Sequence, residues 1–338
     1  MNCELPTADR QLPQSGHPDP EAAASEFQAT IEQLRQAVAT VIVGQTDIIE
    51  QVLISAVCGG HVLLEGLPGL GKTALVHAVA QACDLRFRRI QFTPDLLPAD
   101  LLGSEILDMQ EGRRGFAFQQ GPVFCNVLLA DEINRATPKT QSALLECMQE
   151  GQVTVGNHSH PLPRPFFVLA TQNPVEMDGT FPLPEAQLDR FFMKLLITLP
   201  NHDEFAAILD RTTAGQQARV EPVCDAEQFL ALGRTLRQVP VAKPVQDQLI
   251  RLVRASHPDN PDAPERVRRY VRYGASPRAA QSLLLAARAR ALLHGRLHVA
   301  SEDILALARP CLRHRIILGF EGEAEGISTD RIIEDLIA

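Results

Sequence analysis

The chain has 338 residues, of which 45% are hydrophobic and 22% are charged, and its formal net charge is −9. This composition is that of an ordinary globular protein, and the length leaves room for two domains. The negative net charge argues against mainly electrostatic binding to nucleic acid or to an anionic membrane. The seven cysteines form no Cys-x-x-Cys pair, which predicts reduced thiols and a cytoplasmic location rather than a disulfide framework.

Residues 1–25 are rich in proline, alanine and acidic residues, and we expect them to form a disordered leader. They lack a basic start followed by an apolar core, so they do not resemble a signal peptide. The apolar stretch 52–67 is interrupted by glycines, a histidine and a glutamate, so no membrane span is expected.

Between residues 26 and 200, short apolar runs alternate with stretches of helical periodicity. The runs are 62–64, 89–92, 127–130, 166–170 and 192–197. Such alternation predicts an α/β domain, in which a parallel sheet is flanked by helices.

A glycine-rich motif follows the first of these runs and precedes a helical stretch. It reads Gly66-Leu67-Pro68-Gly69-Leu70-Gly71-Lys72-Thr73. Its position between a buried strand and a helix is typical of a nucleotide phosphate-binding loop and disfavours a simple glycine-rich turn. Backbone N–H groups and the positive end of the helix dipole would face phosphate oxygens. Lys72 would reach the β- and γ-phosphates, and the Thr73 hydroxyl would bind Mg²⁺.

Two consecutive acids, Asp131 and Glu132, follow the apolar run 127–130. Carboxylates at the end of a buried strand need a compensating interaction, and Mg²⁺ and water supply it in a P-loop fold. Asp131 would bind the ion or its waters, and Glu132 would act as a general base or orient the attacking water. A solvated turn with two acids is the alternative, which the spacing from the glycine-rich motif disfavours.

Two further candidates come from the end of the α/β part. Asn173 follows the run 166–170, where a polar side chain can contact the γ-phosphate or the lytic water, although Asn-Pro is also a common turn pair. Arg190 either pairs locally with Glu185 or Asp189, or it acts as an arginine finger on the γ-phosphate of a neighbouring subunit.

After residue 200 the pattern becomes helical, which predicts a smaller all-helical lid domain over residues 201–338. The amphipathic segments are 203–214, 225–238, 243–256, 277–294 and 301–309. Ser276 is the expected N-cap of the fourth segment, with Pro277 in its first turn. The charge of Arg278 there opposes the helix dipole unless it meets an anion, for which the γ-phosphate is the natural candidate and a plain surface arginine the alternative.

Several stretches together resemble one known family. They are Val43-Gly44-Gln45, residues 60–73, residues 91–98, Asp131-Glu132-Ile133-Asn134-Arg135-Ala136, Ala170-Thr171-Gln172-Asn173-Pro174, Leu188-Asp189-Arg190-Phe191 and Gly274-Ala275-Ser276-Pro277-Arg278. As a set, over about residues 30 to 310, they resemble the MoxR family of AAA+ ATPases. The resemblance implies a P-loop NTPase (AAA+) fold and adds the following roles. Lys72 and Thr73 belong to the Walker A motif, Asp131 and Glu132 to the Walker B motif, Asn173 is sensor 1, Arg190 the arginine finger and Arg278 sensor 2. The residues expected to hold the nucleotide are Val43 and Gly44, near the adenine, and Pro68, Gly69, Leu70, Gly71, Lys72, Thr73 and Ala74.

The resemblance also implies an Mg²⁺-dependent ATPase that binds ATP and ADP and works as a homo-oligomeric ring, with six subunits expected. Its work would be the remodelling or maturation of a client protein or complex, often with a partner that carries a von Willebrand factor A domain. Two alternatives remain: a motor for metal insertion, like the magnesium chelatase subunit, or for DNA, and an ATP-gated assembly scaffold with little turnover. The acidic charge disfavours a nucleic acid partner.

Two predicted hairpins, 106–124 and 152–166, correspond to insertions of this clade, and they face either a pore or partner, or only solvent. His158 and His160 are expected in a solvated loop rather than at a metal. The basic run of Arg266, Arg268, Arg269 and Arg272 is expected at a subunit interface or on a solvated face.

Overall fold

The computed structural model describes residues 19–108, 115–174, 179–213 and 219–338. The first half contains α1 (Pro20–Ala39), α2 (Thr46–Val57), β1 (Val62–Glu65), α3 (Lys72–Ala82), β2 (Phe87–Gln91), α4 (Pro98–Leu102), β3 (Gly103–Asp108), β4 (Gly115–Gln120), β5 (Val127–Asp131) and α5 (Pro138–Glu150). Then come β6 (Gln152–Val155), β7 (His158–Pro161), β8 (Phe167–Gln172), α6 (Glu185–Leu188) and β9 (Met193–Leu196). The remainder contains α7 (His202–Thr213), α8 (Ala226–Arg237), α9 (Lys243–Ala255), α10 (Glu265–Tyr270), β10 (Val271–Tyr273), α11 (Pro277–Leu293), α12 (Ser301–Leu312), β11 (Ile317–Leu318), α13 (Phe320–Ala324) and α14 (Thr329–Ile337).

The predicted parallel sheet is confirmed, and it has five strands in the order β2-β5-β8-β1-β9. Each strand coincides with one of the five apolar runs. Neighbouring residues of a strand face opposite sides, so Leu63 belongs to one hydrophobic core and Leu64 to the other. Because both faces are covered, the strands carry the near-continuous apolar runs that the sequence shows.

The helical part follows the prediction in α7, α8, α9, α11 and α12. It is not all-helical, however, because β10 and β11 form a short antiparallel pair. Strands of three and two residues are too short to leave a periodic signal in the sequence. The helices α10, α13 and α14 were not predicted either. The hydrophobic core that covers one face of the sheet continues through α1–α3 into the helical part.

The first helix begins earlier than the predicted leader allows. Asp19 is the N-cap of α1, and its carboxylate accepts a hydrogen bond from the backbone N–H of Glu21 at 3.1 Å. Ala24 is buried, and it continues the helical spacing of buried positions at Phe27 and Ile31. The expectation of disorder is therefore wrong for residues 20–25, while residues 1–18 lie outside the described residues.

Both predicted hairpins are present as antiparallel pairs, β3 with β4 and β6 with β7. The tip of the first, at residues 109–114, lies outside the described residues. The two hairpins contact each other, because the rings of Phe118 and His160 stack with centroids 3.9 Å apart. His160 thus packs against an aromatic ring, and the described residues contain no group of three or more His, Cys, Asp or Glu side chains that could hold a metal.

Two arginines of the basic run in α10 and β10 pair with acids of the helical part. Arg266 pairs with Asp335 at 2.7 Å, and Arg269 pairs with Glu321 and Glu325 at 2.6 and 2.7 Å. Six free cysteines are buried in the described part of the chain. No helix there is both long and apolar enough to cross a bilayer.

Candidate nucleotide-binding site

The glycine-rich loop lies between the end of β1 and the start of α3, as the sequence predicts. Gly69 and Gly71 have φ angles of +82° and +76°, which glycine adopts without the steric cost that a Cβ brings. Gly71 is the N-cap of α3, so the positive end of the helix points into the loop. Thr73 and Ala74 occupy the first turn of the same helix. The loop therefore presents backbone donors and a helix terminus to an anion.

Lys72 is half-buried at the start of α3, and its Nζ donates to the backbone carbonyl of Gly66 at 2.7 Å. Burial lowers the pKa of this ammonium group, and the nearby charges of Asp131 and Glu132 oppose that change. The lysine and the two acids therefore lie close enough to interact electrostatically, although they are about sixty residues apart in sequence.

Asp131 ends β5, and only 13% of its side chain is exposed. Its Oδ1 accepts a hydrogen bond from the hydroxyl of Thr171 at 2.6 Å. Its Oδ2 accepts from Nη2 of Arg89 at 2.6 Å and from Nε of the same residue at 3.1 Å. Sequence reasoning missed both partners. Thr171 and Arg89 reach Asp131 only because β8 and β2 flank β5 in the sheet.

Glu132 follows in the left-handed region, with φ and ψ of 56° and 52°. A residue with a Cβ pays roughly 1–2 kcal/mol for this conformation, and residues strained in this way cluster at functional sites. The hydroxyl of Thr171 accepts the backbone N–H of Glu132 at 2.8 Å. The carboxylate accepts hydrogen bonds from Gln91 at 2.6 Å and from Arg135 at 3.0 Å. Thr171 thus holds both consecutive acids at once.

Asn173 is buried just beyond the end of β8. Strand β8 lies between β5, which leads into the two acids, and β1, which leads into the glycine-rich loop. Since the strands are parallel, their carboxyl ends meet at one edge of the sheet, where ligands bind in open α/β sheets. Asn173 therefore follows the strand that separates the acids from the loop.

Val43 and Gly44 lie in the turn between α1 and α2. Gly44 has a φ angle of +66°, and a Cβ at this position would overlap the side chain of Glu204. The structure thus places this turn against the first turn of α7, where the helical part begins. Its expected proximity to an adenine ring stays a prediction.

Arg190 follows α6 and lines an open groove of about 380 Å³ between α5 and α6. The groove also contains Glu146 and Glu150. Within the described residues, no ion pair joins Arg190 to Glu185 or Asp189, so the predicted local pairing is not seen. Arg190 instead lines this groove together with the two acids of α5.

Arg278 lies in the first turn of α11, where its Nη1 is 3.9 Å from Oδ2 of Asp189. Ser276 occupies the predicted N-cap position, but its hydroxyl does not cap the helix. It donates to Asp189 at 3.0 Å instead, because that carboxylate lies directly opposite. The anion that Arg278 meets in this structure is therefore a carboxylate of the α/β part.

Arg315 is a buried cation, at the contact between the lid and the α/β part, that the sequence did not reveal. Its guanidinium, 1% exposed, donates to the carboxylate of Asp189 at 2.8 Å. It also donates to the carbonyls of Phe191 and Cys311 at 2.7 Å and to the hydroxyl of Ser282 at 3.0 Å. Burial lowers the pKa of Arg315, and the charge of Asp189 opposes that change. In the sequence the residue is one of three closely spaced basic positions and resembles a surface arginine.

Comparisons with known proteins agree with this geometry. The model of the ATPase family associated with various cellular activities (AAA) matches residues 61–193, and the AAA lid domain matches residues 263–336. Chaperone MoxR1 of Mycobacterium tuberculosis is 40% identical, covering 95% of this chain and 85% of that protein. Protein MoxR of Paracoccus denitrificans is 33% identical, covering 87% and 90%. The crystal structure of a Cytophaga hutchinsonii protein assigned as an ATPase is 44% identical, with a TM-score of 0.87, covering 94% and 96%.

A phosphate-binding loop after β1, consecutive acids after β5 and a helical lid define an AAA+ ATPase, the class that the two family models also indicate. The identity of 40% to chaperone MoxR1 extends over 95% of the chain. The chain therefore belongs to the MoxR family of AAA+ ATPases, as the sequence motifs predict.

Proposed function

We propose that the chain hydrolyses ATP with Mg²⁺ at the subunit interfaces of a six-membered ring and uses the energy to remodel or mature a client protein or complex. The observation that supports this most directly is the pair of acids held by Thr171. Its hydroxyl donates to the carboxylate of Asp131 and accepts the backbone N–H of Glu132, so it fixes the chain at both acids, at the edge of the sheet where β1 opens into the glycine-rich loop.

The nucleotide would lie along the loop from Pro68 to Ala74, with its phosphates on the backbone donors at the start of α3. Lys72 would exchange its hydrogen bond to Gly66 for the β- and γ-phosphates. The hydroxyl of Thr73 and the carboxylate of Asp131 are hard oxygen donors of the kind that Mg²⁺ prefers, so the residues present fit this ion. When bound, the ion would neutralise the charge that develops on the phosphates.

Glu132 and Asn173 would orient the attacking water, and Glu132 would take up its proton. Arg278 would contact a γ-phosphate from the lid. Arg190 would complete the site of the adjacent subunit, which is why we propose a ring. An arginine finger contributes a factor of roughly a thousand or more to turnover. An isolated subunit is therefore expected to hydrolyse ATP slowly.

The proposed work on a client rests on the relative named chaperone MoxR1 and on the two hairpins. The hairpins contact each other through Phe118 and His160, and Phe116 on β4 is 76% exposed. We take the paired hairpins as the surface that contacts the client. We include in the proposal a partner with a von Willebrand factor A domain and a cytoplasmic location, in keeping with the six free cysteines of the described part.

The test is a nucleotide titration of the purified chain by calorimetry, in the presence of magnesium. Wild type should take up both ATP and ADP, and Lys72→Ala should take up neither. Lys139→Ala removes a lysine at the start of α5 and serves as the matched control. ATP turnover per subunit should rise with protein concentration as subunits associate. Added polynucleotide should leave this turnover unchanged. Absence of nucleotide binding by wild type would overturn the proposal.

A further inference from the structure

Two buried cysteines from distant parts of the chain lie side by side. Cys83 is the C-cap of α3, and Cys224 precedes Asp225, the N-cap of α8. The backbone N–H of Val223 donates to the carbonyl of Ala82 at 2.8 Å, so the two segments are in direct contact. The thiol of Cys83 is hydrogen-bonded to the sulfur of Cys224. The fold thus places two free thiols together at the contact between the α/β part and the helical part.

The surroundings of the two sulfur atoms favour a thiolate on Cys224. The hydrogen bond from Cys83 lowers the pKa of Cys224, although burial and the charge of Asp225 oppose that change. The same hydrogen bond, together with burial, raises the pKa of Cys83. The helix dipoles act in the same sense, because Cys224 lies at the positive start of α8 and Cys83 at the negative end of α3. Cys224 is therefore the better nucleophile of the pair.

Cys224 also lines a cavity of about 120 Å³ between α1 and α8. Glu26 of α1 and Gln228 of α8 lie on the wall of this cavity and are exposed, so it communicates with solvent. Because a water molecule needs only about 10–15 Å³ of such volume, a small peroxide fits in it. Cys83 has no exposed surface. A small oxidant can therefore reach Cys224 directly, whereas Cys83 is shielded.

We propose that Cys83 and Cys224 form a peroxide-reactive dithiol, in which Cys224 is the nucleophile and Cys83 the resolving thiol. The thiolate of Cys224 attacks one peroxide oxygen, and the O–O bond breaks. Cys224 becomes a sulfenic acid, and the oxygen that leaves takes up the proton that the Cys224 thiol lost. The sulfur of Cys83 then attacks the sulfenic sulfur, the S–O bond breaks, and the hydroxyl leaves as water with the proton of Cys83. The thiols lose two electrons, and the peroxide gains them.

The disulfide would join the end of α3 to the segment before α8, and so cross-link the α/β part to the helical part. Thiol–disulfide exchange with a reductant would reverse it. The phosphate-binding loop lies at the other end of α3, which has 11 residues, so roughly 16 Å separate it from Cys83. Nucleotide binding should therefore persist in the oxidised chain, and the inference does not depend on the proposed function.

The decisive experiment treats the folded full chain with hydrogen peroxide and identifies the products by mass spectrometry of its peptides. The parent carries Cys3→Ser, because Cys3 lies outside the described residues and would otherwise compete for peroxide. This parent should form a disulfide between Cys83 and Cys224 that dithiothreitol removes. Cys147→Ser is the matched control and should form the same disulfide, since burial raises the pKa of that thiol to about 12.

Single substitutions separate the two roles. In Cys83→Ser the reaction should stop at a sulfenic acid on Cys224, which dimedone traps. In Cys224→Ser, Cys83 should remain a thiol. Cys224 should react at least about tenfold faster than Cys147, since one pKa unit changes the thiolate population about tenfold. Trapping of Cys83 instead of Cys224 would overturn the assignment of nucleophile and resolving thiol.

A parent chain in which Cys83 and Cys224 stay reduced, or pair with other cysteines, would overturn the whole inference. That measurement needs no substitution at either position, so it is decisive even if a variant does not fold. Unfolding temperatures check the folding of the variants. Nucleotide calorimetry on the reduced chain tests the proposed function separately, because neither thiol takes part in it.

Discussion

Nη2 of Arg89 lies 2.6 Å from Oδ2 of Asp131, so a cation of the edge strand β2 contacts the carboxylate that we assign to Mg²⁺. The arginine side chain is 48% exposed, and the aspartate is largely buried. Because one oxygen cannot hold a short ion pair and a metal ion equally well, the arginine and the ion compete for it. Arg89 is expected to move whenever Asp131 takes part in metal binding.

The first prediction concerns this competition. Arg89→Ala should lower the magnesium concentration needed for half-maximal ATP turnover, by about two- to fivefold, the effect of losing a partly exposed ion pair. Arg88→Ala is the matched control, since Arg88 precedes it on the opposite face of the same strand. A magnesium titration of ATPase activity gives the answer, and an unchanged or raised requirement in Arg89→Ala would contradict the competition.

The second prediction concerns Glu132. Glu132→Gln keeps the shape of the side chain but cannot accept a proton, so turnover should fall by roughly 10²–10⁴-fold while ATP binding persists. The control is Glu227→Gln on the surface of α8, which should hydrolyse ATP like wild type. Phosphate release and calorimetry measure the two properties separately. Equal hydrolysis by wild type and Glu132→Gln would rule out the role given to this carboxylate.

The third prediction concerns Arg190, which faces the groove on α5 rather than an acid of its own segment. Arg190→Ala should hydrolyse ATP at least about a thousandfold more slowly than wild type. Mixing it with Glu132→Gln should restore part of the activity, because one protein offers an intact Glu132 and the other an intact Arg190. Two inactive proteins that stay inactive after subunit exchange would place Arg190 outside the neighbouring site.

The fourth prediction concerns acid stability. His61 is buried, and its Nδ1 accepts the backbone N–H of Val168 while its Nε2 lies 3.0 Å from the carbonyl of Met148. The ring is therefore neutral, with the proton on Nε2. Burial lowers its pKa from 6.5 to about 4. Between these pH values the unfolded chain binds the proton that the folded chain excludes, so the stabilisation present above pH 6.5 is lost as the pH falls.

The free energy of unfolding should therefore fall by about 3 kcal/mol between pH 7 and pH 4 through His61. His314 contributes in the same direction, because burial also lowers its pKa. Urea unfolding between pH 4 and 7 measures this change in the free energy of unfolding. His61→Gln should flatten the pH dependence, even if it lowers stability at pH 7. His202→Gln, at an exposed position, should follow wild type. Parallel curves for His61→Gln and wild type would show that this ring is not responsible.

Local sequence patterns were sufficient to predict the sheet strands, the main lid helices and the glycine-rich loop. A buried strand, a turn that needs left-handed glycines and a helix start are each decided by residues that adjoin in the sequence. The predicted leader failed at residues 20–25 because burial of Ala24 against distant helices offsets a composition typical of disorder. The short β10–β11 pair was not predicted, because strands of two or three residues are too short to show a hydrophobic periodicity.

The sequence by itself determined which residues are candidates for binding phosphate and metal, because the glycine spacing, the lysine that follows it and the paired acids after an apolar run are all local patterns. Only the tertiary structure decided what those residues contact. Strand order brings Arg89 and Thr171 to Asp131, and the packing of the lid brings Arg315 to Asp189 across 126 residues. No local pattern encodes such pairs, because each depends on which distant segments the two hydrophobic cores bring together.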